Sequence, residues 1–145
     1  MKERYENPVV EGVARLMVPL IQIFGLYVIT HGHYGPGGGF QGGVILAASL
    51  LLLRLTLGEE YEHRRFPPRL AILLATSGML LFVLVGLLPL GRGAPYLNYA
   101  YLPIPGLAEP EARYLGILIV EIGIGMAVWG TLVTLFDHLV GGEAQ

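Results

Sequence analysis

Residues 16–30 and 70–90 contain no Asp, Glu, Lys or Arg, and residues 115–136 contain one, Glu121. Runs of this length and purity fit the hydrocarbon core of a bilayer. There, lipid satisfies no backbone amide, so each run must close its hydrogen bonds internally as a helix. The composition agrees. Hydrophobic residues make up 54% of the chain and charged residues 14%, against roughly 25% charged in soluble domains. Mean hydropathy is +0.62.

The pattern predicts an all-α integral membrane protein with four transmembrane helices in a single domain, residues 1–145. The expected spans are about residues 9–30, 42–58, 69–89 and 113–138. The second could start earlier, because Pro36 is tolerated in a first helical turn. Four spans put both termini on one side. That side carries Lys2, Arg4, Arg15, Arg54, Arg64, Arg65 and Arg69; the other carries Arg92 and Arg113. The positive-inside bias therefore predicts cytoplasmic termini. MKERYENPVVEG mixes acids with its bases, and no small-residue cleavage site follows the first apolar run. The first span is thus expected to be retained.

The chain has no cysteine and a net charge of -2. This excludes disulfides and thiolate metal sites. With no basic tail, it also gives no footing for nucleic acid.

Between the first two spans lies GHYGPGGGFQGG, residues 32–43, with seven glycines. It is neither GxxxxGK[ST] nor GxGxxG, and it lacks a phosphate-binding lysine. Glycine tolerates positive φ and lets another backbone close in. Gly37, Gly38 and Gly39 are therefore expected to form a tight turn packed against another helix or subunit. Pro36 would restrain its entry and Phe40 anchor its exit. His31 and His33 flank the turn. They make only half of a tetrahedral metal site; packing, interface hydrogen bonding or proton handling would each suit them.

Glu121 lies seven residues after Tyr114, about 10 Å along a helix. A carboxylate at that depth belongs against a bundle interior, a partner or a water-filled path. That suits an ion or proton site, and equally a hydrogen bond between helices. Gly116, Gly123, Ala127, Gly130 and Thr134 recur near one face of the same helix, where a neighbouring backbone can approach. Glu121 and Gly125 occupy another edge, which suggests a subunit contact. Gln22, inside the first span, needs hydrogen-bond partners. Arg54, near the end of the second, is expected to snorkel. The charged GEEYEHRRFPPR reads as a solvated or docking loop. The proline- and tyrosine-rich GRGAPYLNYAYLPIPGLAEPEARY is expected to lie ordered across the outer ends of the helices.

ARLMVPLIQIFGLYVITHGHYGPGGGFQGGVILAASLLL, with its core Gly32-His33, Pro36 to Phe40 and Gly42-Gly43, resembles the signature of the MnhB/MrpB-type subunit of multisubunit Mrp/Mnh-type sodium/proton antiporters. YLGILIVEIGIGMAVWGTLVTLFD is similar to that family's final helix, where the position of Glu121 often resembles aspartate. The resemblance implies an accessory subunit of the cell membrane, with no cofactor of its own, in a complex that transports Na+ and H+. Its partners would be other membrane subunits, including large ones related to complex I. The same module occurs in membrane-bound hydrogenase-type complexes, and Gln41 in FQGG resembles those members. A hydrogenase-associated subunit and a purely structural adaptor are therefore the alternatives.

Overall fold

The structure, a computed structural model, describes residues 7–32, 37–106 and 108–141. They form α1 (Pro8–His31), α2 (Gly39–Leu57), the short α3 (Glu59–Arg65), α4 (Pro68–Leu87) and α5 (Glu109–Gly141), with no strand among them. Four of these helices are long and apolar enough to cross a membrane, α4 together with the turn that follows it. The short helices Leu88–Arg92 and Tyr99–Tyr101 are of the 3-10 type.

Local signals set the helix ends. Asn7 Oδ1 accepts from the Val9 N–H at 3.0 Å, capping α1 ahead of Pro8. Near the start of α5, Glu111 Oε2 accepts from the Ala108 N–H at 3.2 Å, half of a capping box. This helps α5 begin before the expected residue 113. Its 33 residues extend about 50 Å, longer than the ~30 Å hydrocarbon core. α2 starts at Gly39 rather than residue 42. The charged loop is not irregular: seven residues of it form α3, acidic in the first turn and basic in the last, as the helix dipole favours.

The spans form a row in which α2 lies between α1 and α5, and α5 lies between α2 and α4. Small residues set the crossings. A Cβ on Gly42 would meet Ile29 and Gly25 of α1. One on Gly43 would lie 2.6 Å from the Gly125 carbonyl. On the other side of α5, Gly130 packs against Ala71 and Ala75 of α4, and Gly78 packs against Gly123 and Ala127. In lipid, helix association depends on this close packing because apolar burial supplies little between helices.

The proline- and tyrosine-rich segment packs on the bundle. Leu102 is buried with Val85 and Val120, and Tyr99 packs against them. The Tyr96 ring sits over Gly86 and Tyr99 over Gly116. By contrast, one side of α1 leaves Val13, Leu16, Leu20, Ile23, Phe24 and Tyr27 exposed, a surface suited to lipid or neighbouring subunits.

Candidate functional site

The glycine turn closes on Glu121 of the same chain. Gly37 and Gly38 have φ of 156° and 117°, the second well inside the region that favours glycine. A Cβ on Gly32 would lie 2.7 Å from Glu121 Oε1, and one on Gly38 3.2 Å from it. A Cβ on Gly39 would overlap the Glu121 carbonyl. The small residues let the start of α2 press directly on α5, with the half-buried carboxylate of Glu121 beside the turn. For Gly38 and Gly39 the covering protein is thus α5 itself, and they are buried without a second subunit; Gly37 is exposed rather than covered, beside Val28 of α1. Gly125, one turn further along α5, faces Ile29 and the Gly39 carbonyl. Glu121 and Gly125 therefore face α1 and α2, where the sequence suggested a subunit contact.

The other candidates separate. Phe40 is 64% exposed rather than anchored within the chain. His31 is exposed at the end of α1, stacked on Tyr27 with centroids 4.2 Å apart and 3.1 Å from Thr30 Oγ1. His33 and Pro36 lie outside the described residues. Gln22 lines a different feature, a cavity of about 550 Å³ with Arg15, Pro19, Tyr61 and Trp129. Gly116 meets Tyr99, while Gly123, Ala127 and Gly130 serve the α4 contact. Thr134 Oγ1 donates to the Gly130 carbonyl at 2.8 Å. Among the described residues, no three His, Asp or Glu side chains are grouped to hold a metal ion.

At the arginine-rich end, the structure joins residues that sequence reasoning left apart. Arg54 does not snorkel; it is 6% exposed. Its guanidinium pairs with Asp137 of α5 through Nη1 and with Glu59 of α3 at 2.9 Å through Nη2. It also lies over the Phe136 ring, 5.3 Å from the centroid. Partners from two helices hold it inside, so extension to water is unnecessary. Glu62 is 1% exposed, and neither carboxylate oxygen has a hydrogen bond. Burial raises its pKa from 4.5 to about 7 against the opposing pull of Arg54, with Glu59 adding to the rise. The sequence signal for this cluster was a base and an acid near the ends of two spans that finish on the same side.

These features define the class: a multi-pass, all-α membrane protein held together by glycine crossings, with a single carboxylate seated on a glycine turn. The chain belongs to the MnhB family: residues 9–134 match the family described as a domain related to the MnhB subunit of Na+/H+ antiporter. It is 34% identical over 140 residues to the B subunit of the Na(+)/H(+) antiporter of Bacillus subtilis, covering 91% of this chain and 97% of that one. It is also 32% identical over 142 residues to a Staphylococcus saprophyticus protein carrying the name antiporter subunit mnhB2, covering 96% and 99%.

Proposed function

We propose that this chain is an accessory membrane subunit of a multisubunit sodium/proton antiporter, supporting assembly and contributing Glu121 to the ion path. The observation that carries the reading is the seating of Glu121 against Gly32 and Gly38. The stretch with the strongest family resemblance thereby meets the one acidic residue deep in a span. A carboxylate in that setting is the kind of group that membrane ion paths use. The Na+ and H+ belong to the complex as transported ions. Its other membrane subunits, large complex I-like ones included, are the partners. Exposed Phe40 and the apolar side of α1 supply surface for them.

A strain lacking this subunit is expected to lose antiport in everted membrane vesicles, with activity restored by the chain in trans. Full sodium-dependent antiport without it would sink the reading. Copurification with hydrogenase subunits would move the chain to the redox-driven form of the module.

The bias of bases supports an orientation in the cell membrane with both termini cytoplasmic. The chain has no cysteine, so Glu60→Cys, at a side chain 83% exposed, supplies a unique label. A membrane-impermeant maleimide should react with it in everted vesicles and not in intact cells. The opposite pattern reverses the orientation.

A further inference from the structure

The buried group at the arginine-rich end is outside the ion path proposed above. Glu62 is almost fully enclosed, yet neither oxygen receives a hydrogen bond. The nearby guanidinium does not supply one, since Nη1 of Arg54 is directed to Asp137 and Nη2 to Glu59. The imidazole of His63 lies beside the carboxyl: its Nε2 is 3.5 Å from Glu62 Oε2 and 3.8 Å from Asp137 Oδ2. Its Nδ1 lies 3.8 Å from Glu59 Oε1. His63 is 27% exposed and Glu59 54%, and both line an open cleft with Glu60 and Arg64. The imidazole thus stands between water and the buried carboxyl.

Charge balance leads the same way. Glu59 and Glu62 of α3 and Asp137 of α5 supply three carboxylates; Arg54 of α2 supplies one permanent cation, and the His63 imidazole lies among them. From α1, Arg15 lies over the neighbouring Tyr61 ring at 5.3 Å, and Arg65 of α3 lies over the same ring at 5.0 Å. Arg69, at the start of α4, is exposed. An ionised Glu62 would therefore be a buried anion amid surplus negative charge, a costly arrangement that one proton removes.

We propose that Glu62 is a proton-binding site at the arginine-rich end of the bundle, filled through His63 and coupled to the Arg54–Asp137 pair that ties α2 to α5. In the filling step, Glu62 Oε2 takes the proton from His63 Nε2. An O–H bond forms, the N–H bond breaks, and its electron pair stays on the imidazole. Nδ1 takes a proton from solvent as Nε2 gives its own up, so the ring ends neutral with its proton on Nδ1, and exchange with solvent then returns the proton to Nε2. A small side-chain movement brings the 3.5 Å separation to hydrogen-bond distance. The site stands on this geometry; its use in transport rests on the antiporter reading.

The linkage has a definite sign. Because the folded pKa of Glu62 lies above its ordinary value, the protonated state favours the packed cluster. That stability is complete below pH 4.5 and is lost as pH rises through about 7.

The test uses the assembled complex in membranes, titrated by infrared difference spectroscopy. Wild type should show a protonated carboxyl C=O band that disappears as pH rises through about 7. Glu62→Gln should lose this band and the accompanying pH dependence of thermal stability; Glu60→Gln, on the exposed side of the same helix, should keep both. An unchanged band in Glu62→Gln overturns the site. If Glu62→Gln weakens assembly, Glu62→Asp supplies the second measurement: its band should titrate at a shifted pH, and an unshifted band also overturns the assignment. The spectrum registers proton binding whether or not the complex performs antiport, so failure of the site is distinguishable from failure of the transport reading.

Discussion

Gly39→Val is expected to remove most of the subunit from the assembled complex. A Cβ at this position would overlap the backbone carbonyl of Glu121, so no side-chain rotation relieves the contact. α2 and α5 would have to separate, opening the neighbouring Gly43–Gly125 crossing as well. Overpacking a well-filled interior ordinarily costs about 1–3 kcal/mol, and a backbone obstacle puts this variant at the upper end or above. Gly38→Val should act in the same direction for a second reason, since φ of 117° disfavours any side chain with a Cβ. Gly12→Val is the matched control, because a Cβ there meets nothing within 4 Å. Blue-native electrophoresis of membranes should show complex retained with Gly12→Val and severalfold depleted with Gly39→Val. Equal accumulation of the two would mean that the turn tolerates separation from α5.

The contact behind that expectation also marks the limit of what the sequence displays. The spans are legible because lipid demands long uncharged runs, a property visible residue by residue. The number of spans follows from it. Their ends are less legible: residues 39–41 look like a continuation of the glycine loop, yet Gly39 opens α2 because its missing side chain admits α5. The glycine turn announces that something approaches closely, but not what. That Glu121 is the approaching residue depends on the relative register of α2 and α5, which no local pattern encodes. The small-residue line on α5 is visible by spacing, whereas its assignment to α4 again requires the packed row.

The arginine-rich end is the least legible region. Glu60 and Glu62 stand two apart in the same charged loop; one is 83% exposed as a side chain and the other is enclosed. Only the folding of α3 against the ends of α2 and α5 separates them. Arg54 likewise looks like any arginine at the end of a span. The distant Asp137 converts it from a snorkelling residue into a buried crosslink.

Glu121→Gln is expected to abolish most antiport while leaving assembly intact. Glutamine nearly matches glutamate in shape, and the glycine turn packs beside Oε1, with Gly32 and Gly38 leaving room for an amide of the same size. The helix crossings that hold α5 to α2 and α4 involve backbone and small residues that this exchange does not alter. What glutamine removes is the negative charge and the exchangeable proton. If Glu121 serves the ion path, the transport rate should fall at least about tenfold, equivalent to about 1.4 kcal/mol in barrier. Glu121→Asp retains the carboxylate but withdraws it by one methylene, so it should preserve more activity than glutamine. Sodium-dependent proton movement in everted vesicles, normalised to assembled complex, reads this difference. A structural hydrogen bond between helices predicts the reverse order, because glutamine keeps the reach that aspartate gives up. Normal transport with Glu121→Gln, or better transport with Gln than with Asp, would leave Glu121 as a packing residue and the chain as a structural adaptor.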